Sequence, residues 1–349
     1  MKRNMNIRSS VCRAWGSFIS YFLFSMMLAS CVDETEYENT PTDNFKALWQ
    51  IIDERYCFFD YKQQEYGLDW NSVYDKYKVR INNNMTTLQL FEVCCDMLGE
   101  LRDGHVNLSN SVDYGRYWKW HENYPKNFSD TLYRRYIETD YKISSGLYYR
   151  ILDDNIGYIR CSSFDVSIGE GNLDEILSCF ALCRGLIIDI RNNGGGDLTM
   201  AERFAGRFVQ DKTLVGYIQH KTGTGHRDFS ELKPQYLEPS SNVRWHKKVC
   251  ILTNRSVYSA ANAFAVWMRT LPNVTLVGDH TGGGSGMPMS SSLPNGWSVR
   301  YSACPMYDKD CKDTEFGIAP DVPASLSDVS TAKGIDDIME AARKIIHNS

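Results

Sequence analysis

Over residues 44–102 the apolar positions recur every three or four residues, which predicts helices. The clearest helix starts at Thr86-Thr-Leu-Gln89, the pattern of a capping box, and Phe91, Cys94, Cys95, Leu98 and Leu101 then lie on one face. It runs into Leu101-Arg-Asp-Gly-His105, where Gly104 permits a sharp turn of the backbone. Residues 110–145 are aromatic and charged and follow no single period; they read as strands or as a substrate-facing surface. From 147 onward short apolar runs alternate with helical segments. Strands are expected at 156–160, 185–190, 249–253, 274–277 and 297–301, and helices at 172–183, 197–209, 259–270 and 334–347. Asp197 is the expected N-cap of the second of these helices. Apolar strands separated by helices predict an α/β layered core.

The N-terminus follows a different pattern. Four bases and no acid occupy the first 30 residues, and an apolar run of 12 residues covers Ser17 to Leu28. That run is too short to span a hydrocarbon core of ~30 Å comfortably, and it reads as a secretory signal. It ends in Leu28-Ala29-Ser30-Cys31, which resembles a bacterial lipobox and makes Cys31 the expected lipidation site; an ordinary signal peptide with a chance Cys is the plain alternative. The acidic, aperiodic stretch after it reads as a solvated tether and resembles the export signal of surface lipoproteins in Bacteroidetes-type bacteria. The expected organisation is a signal peptide over 1–30, a tether over 31–44 and a helical subdomain carrying His105 over 45–110. An aromatic-rich connection over 111–146 and a core over 147–349 complete it.

Charge and cysteines exclude several classes. The chain of 349 residues has a net charge of −5, and −9 without the four N-terminal bases. An acidic body without a basic patch argues against nucleic acid as a partner. Of 11 cysteines, nine remain once Cys12 and Cys31 are set aside, with no Cys-x-x-Cys pair and no His at ligand spacing, so no metal is expected. Cys94, Cys95 and Cys250 read as small buried hydrophobes, while Cys304 and Cys311 could either bridge or stay free.

Three segments hold candidate chemistry. Asp189-Ile-Arg-Asn-Asn-Gly-Gly-Gly-Asp197 joins a buried strand to a helix, and its glycines can turn N–H groups toward an anion. It lacks the Gly-Lys-Ser/Thr of a phosphate loop and the spaced glycines of a dinucleotide site; an oxyanion hole or a plain glycine turn remain. Ser259 sits where an apolar strand ends and a helix begins, which suits a nucleophile with the Ala260 N–H as oxyanion donor, or a simple N-cap. His105, in its tight turn, is the candidate base.

In order along the chain, Leu-Arg-Asp-Gly-His105, Asp-Ile-Arg-Asn-Asn-Gly-Gly-Gly196, Thr-Asn-Arg-Ser-Val-Tyr-Ser259-Ala, Val-Gly-Asp-His-Thr-Gly-Gly-Gly284 and Glu315-Phe-Gly-Ile-Ala-Pro-Asp321 resemble the tricorn protease / C-terminal processing peptidase family. The resemblance covers about residues 45–325. It implies an α/β fold with a crotonase/ClpP-like ββα core and an N-terminal helical subdomain. It also implies an oxyanion hole from Gly195 or Gly196 with Ala260, and no cofactor.

The processing-peptidase branch places a lysine 25 residues after the serine. Here that position is Gly284, and no Lys lies between Lys248 and Lys309. The tricorn branch uses a His base oriented by an acid, which match His105 and Glu315. It has a Ser beside its His where this chain has Gly104. Only 41 residues make up the stretch from 106 to 146, too few for the PDZ domain that many relatives carry there.

The expected function is a lipid-anchored serine peptidase of the bacterial cell envelope, on the outer membrane, hydrolysing peptide bonds of a peptide or unfolded protein through Ser259, His105 and Glu315. A rival reading is a lipoprotein that binds peptides or apolar ligands without cleaving them. An acyl-CoA enzyme on the same core has little to support it. An unperturbed His base would set an acid limb of kcat/KM at about pH 6–7.

Overall fold

A computed structural model describes residues 37–349 apart from 118, 120 and 121. The expected signal, Cys31 and most of the tether lie outside the described residues. The chain divides after Asn39, and Thr40–Ser349 forms one unit, to which all that follows refers.

Its first part is helical because each helix has a local start signal. Helix α1 (Pro41–Arg55) has Thr40 as N-cap and proline at its first position, where the missing N–H costs nothing. Phe45, Leu48 and Ile52 form its buried face. Helix α2 (Phe59–Tyr66) ends at Gly67 in the left-handed region, and Asp69 caps α3 (Trp70–Lys78). Helix α4 (Thr87–Gly99) has the expected capping box of Thr86 and Gln89.

The stretch without a clear period forms short strands β1 (Asn107–Ser109) and β2 (Tyr114–Arg116), helix α5 (Asp130–Ile137) and strand β3 (Lys142–Ser144). Then follow β4 (Leu147–Ile151), β5 (Gly157–Arg160), α6 (Glu170–Cys179), β6 (Leu186–Asp189) and α7 (Leu198–Ala205). Next come β7 (Thr213–Ile218), β8 (Lys233–Leu237), β9 (Val249–Thr253), α8 (Ala260–Arg269) and β10 (Val274–Gly278). The chain closes with β11 (Gly286–Ser292), β12 (Ser298–Asp308), β13 (Val322–Pro323), α9 (Asp328–Ala332) and α10 (Asp337–His347). Helix α7 is shorter than the expected 197–209, although Asp197 caps it as anticipated; the expected 334–347 helix is α10, which starts at Asp337 behind its N-cap Asp336, and the short α9 before it was not expected.

Two sheets organise these elements. One has the order β13-β10-β9-β6-β5-β4-β3, with β13, β10, β9, β6 and β5 parallel. Strands β6 and β9 are buried at every position, as continuous apolar runs covered on both faces should be. On one face Ile187, Cys250 and Leu252 meet Ile338, Met339, Ala342 and Ile346 of α10. The other sheet is antiparallel, in the order β2-β1-β12-β7-β8, with β11 also paired to β12.

This architecture sets up the site. Asp189 at the end of β6 lies in register with Leu252 of β9, so the glycine loop and the serine turn leave neighbouring strand ends. Parallel sheets gather ligands at such carboxyl ends. His105 arrives from the other sheet, two residues before β1, whose Asn107 pairs with Arg300 of β12. Beneath the glycine loop, Arg191 is fully buried and bonds Asp189 (Nη2 to Oδ2, 2.8 Å) and Asp336 (Nη1 to Oδ2, 2.9 Å). Asp336 also caps α10, so that helix is tied to the loop.

Candidate active site

Ser259 stands at the N-cap position of α8 but makes no capping bond. Its backbone has φ 55° and ψ −125°, a region that a non-glycine residue enters only under constraint, at about 1–3 kcal/mol. Three bonds supply the constraint. The Ser259 N–H donates to the Gly283 carbonyl (2.8 Å), the Tyr258 N–H to the Asn193 carbonyl (3.0 Å), and the Ala263 N–H to the Ser259 carbonyl (3.0 Å). A strained strand-to-helix turn pushes a serine hydroxyl outward. Here Oγ lies 2.9 Å from Nε2 of His105.

For that contact to prepare a nucleophile, Nε2 must accept and the ring proton must sit on Nδ1. Nδ1 is buried without a hydrogen-bond partner among the described residues. Burial pushes His105 down to about 4; the Asp103 charge opposes this, while Arg300, Arg116 and Lys62 reinforce it. The ring is therefore neutral at pH 7, and the acid limb expected at pH 6–7 from an unperturbed histidine belongs near 4.

Asp103 is the acid bonded to the His105 segment, and its contact is with the backbone. Its Oδ1 accepts the His105 N–H at 2.7 Å, and Oδ2 accepts the hydroxyls of Tyr56 (2.9 Å) and Ser302 (2.8 Å). One carboxylate thus joins the end of α1, strand β12 and the histidine turn. Burial works to raise its pKa, but the charges of Lys62 and His105 and the donated bonds outweigh it, and the group is lowered.

Glu315 was expected to orient the imidazole, and here its carboxylate bonds elsewhere. Oε1 lies 3.1 Å from Nζ of Lys62, and Oε2 accepts the Ser285 N–H at 3.0 Å. The physical reason is Lys62. Its side chain is fully buried on α2, and a buried ammonium must be paired. It takes Glu315 and the Arg102 carbonyl (3.2 Å) and lies 4.6 Å from the Phe316 ring centre. Burial, with the Asp103 charge adding and Lys62 opposing, pushes the Glu315 carboxyl up to about 8.

On the opposite side the glycines divide their labour. Gly195 has φ +105°, and a Cβ there would lie 2.7 Å from the Cβ of Ser259, so only glycine lets the loop approach the nucleophile. Its N–H donates to Oδ1 of Asn193 (2.9 Å). The N–H groups of Gly196 and Ala260 have no partner among the described residues, and Ala260 opens α8, where the helix dipole favours negative charge. Of the two glycines proposed from sequence, Gly196 keeps its donor free.

Lys62, the linking role of Asp103, and the Asn193 bond were not anticipated. Asp103 stood inside a quoted motif, but Lys62 lies on a short helix with no spacing signal. Cys304 and Cys311, which could have bridged, are both free thiols.

A model of peptidase family S41 matches residues 155–324, and one of the tricorn protease C1 domain matches residues 37–99. A crystallised candidate peptidase from Parabacteroides merdae ATCC 43184 is 48% identical, with 88% of this chain and 97% of that one covered and a TM-score of 0.84. The chain belongs to peptidase family S41. The carboxy-terminal processing protease CtpA of Bacillus subtilis (strain 168) is 24% identical over 192 residues, 54% of this chain. Only 39% of that enzyme's length is spanned. The structure of mature CPAF complexed with lactacystin, at 11% identity, shares the mixed α/β fold, with a TM-score of 0.67 and coverage of 89% and 99%. The S41 match contains Ser259, Glu315 and the glycine loop; His105 falls between the two matched segments. Among the described residues no helix is long and apolar enough to cross a membrane.

Proposed function

We propose that this S41 protein is a serine peptidase that hydrolyses peptide bonds in peptides or unfolded proteins. The observation that carries the reading is the 2.9 Å contact between Ser259 Oγ and His105 Nε2. Ser259 attacks the scissile carbonyl while His105 takes its proton, and His105 then protonates the leaving amine. The N–H groups of Gly196 and Ala260 receive the developing oxyanion, with Gly195 as the close-packed spacer. Glu315 holds Lys62 and the Ser285 N–H in place rather than serving as the ring's hydrogen-bond partner. The N-terminal signal and Cys31 support an anchored protein of the cell envelope, with its lipid in the outer membrane.

The binding reading keeps one observation in its favour, the partnerless Nδ1 of His105. A fluorophosphonate probe separates the two. The peptidase reading expects labelling at Ser259, cleavage of an unfolded protein, and loss of both in Ser259→Ala, with a fall of about 10⁶ in kcat. A folded protein that neither labels nor cleaves supports binding without catalysis.

A further inference from the structure

We propose that Tyr258 is the positioning residue of the base: its ring, packed against the imidazole, holds His105 at Ser259 where an acid on Nδ1 would otherwise do so. The inference rests on the peptidase reading and deepens it.

An imidazole bonded only at Nε2 can swing about that contact, so a base that works needs a second hold on its ring. The neighbouring carboxylates are committed elsewhere. Glu315 bonds Lys62 and the Ser285 N–H, and Asp103 accepts the His105 N–H and the hydroxyls of Tyr56 and Ser302. What lies against the imidazole is the ring of Tyr258, with its centre 5.1 Å away and its plane tilted by 52°. Aromatic rings attract at centre distances of roughly 4.5–7 Å, by about 0.5–1.5 kcal/mol beyond their burial. Both residues are buried.

The tyrosine is itself fixed from several sides. Its N–H donates to the Asn193 carbonyl, and its main chain bridges to Gly283. Its hydroxyl lies 3.5 Å from Oδ1 of Asp103, the oxygen that accepts the His105 N–H at 2.7 Å. Gly284, at φ +77°, lies behind the ring, and a Cβ there would run into it. Tyr258 is thus anchored to the oxyanion side by its main chain and to the base side by its hydroxyl. Because it precedes Ser259 directly, one turn sets both the nucleophile and the surface on which the base rests.

The test compares Tyr258→Leu, which removes the ring, with Tyr258→Phe, which removes only the hydroxyl. Misplacing a reacting group by 1 Å can cost about 10²-fold, so Tyr258→Leu should lower kcat on an unfolded protein by about that factor and leave KM within about threefold. Tyr258→Phe should recover all but about threefold of the loss, because the ring contact does the holding. Nitrogen-15 spectra of the imidazole, assigned by comparison with His105→Gln, give a readout without catalysis. They should show the proton on Nδ1 in wild type and in Tyr258→Phe, and a mixture of tautomers in Tyr258→Leu. A Tyr258→Leu chain whose kcat stays within about threefold of wild type, or a Tyr258→Phe chain as slow as Tyr258→Leu, overturns the proposal. If Tyr258→Leu does not fold, Gly284→Ala takes its place: its methyl group displaces the ring, and labelling of Ser259 by fluorophosphonate should slow at least about tenfold, an unchanged rate overturning the proposal. A wild-type chain that shows the expected spectra but takes no label fails as a peptidase while its tyrosine still holds the ring.

Discussion

The two sides of Ser259 are held by different kinds of bond. On the oxyanion side, main-chain groups and one asparagine do the positioning: Gly195 packs against the serine, Asn193 takes its N–H, and Gly283 takes the Ser259 N–H. On the base side, buried charges do it: Asp103 holds the His105 backbone, and Lys62 holds Glu315. Main-chain geometry is insensitive to pH, whereas buried charges are not. The difference makes the base side the part of the site that responds to protonation and to loss of a single partner.

His105→Gln should have the largest effect. It is expected to lower kcat/KM on an unfolded substrate by about 10⁴-fold or more, and to abolish the acid limb of the wild-type profile. A loss below tenfold would mean that another base serves Ser259.

Lys62→Met removes one partner of a buried pair. Breaking such a pair costs about 3–5 kcal/mol, and here the cost should depend on pH. Glu315 has an ordinary value of 4.5 and is raised to about 8, so its contribution to stability is greatest below 4.5 and is lost as pH rises through 8. Without Lys62 the loss should extend to higher pH. Denaturant midpoints for the variant should therefore approach wild type at pH 5 and diverge at pH 9; a gap that does not change with pH would contradict the pairing.

Gly195→Ala tests the other side. Its methyl group meets Ser259 at 2.7 Å, so kcat should fall about 10²–10³-fold with midpoints at pH 5 and pH 9 shifted equally. Asp103→Asn should give the smallest effect, about 1–3 kcal/mol of stability. It also removes the charge that raises His105, so the acid limb should move below 4 rather than above it. His105 gives the opposite stability sign from Glu315. Lowered from 6.5 to about 4, its contribution is present above 6.5 and is lost as pH falls toward 4.

The same contrast explains what could be read in the chain alone. The capping box at Thr86, the α/β alternation and the strand–turn–helix context of Ser259 were legible because they follow local rules of period, cap and turn. The glycine loop was legible as a whole, but which glycine kept its N–H free depended on Asn193 folding back. Glu315 was placed by motif order, and its partner was not, because Lys62 lies 253 residues away on a helix without a distinguishing pattern. The position of His105 in a tight turn was visible; the burial that moves it to about 4 was not, since burial depends on β12 and the serine turn closing over it.

The central claim is that a buried, neutral His105 activates Ser259. The rate of fluorophosphonate labelling at Ser259, followed from pH 3.5 to 8 in wild type and His105→Gln, tests it most directly. The account predicts a wild-type rate that is level from about pH 6 to 8 and falls through a midpoint near 4. It predicts labelling slower by several orders of magnitude in the variant. A rate that His105→Gln leaves unchanged, or one that rises only through an alkaline midpoint as an amine base would require, contradicts it.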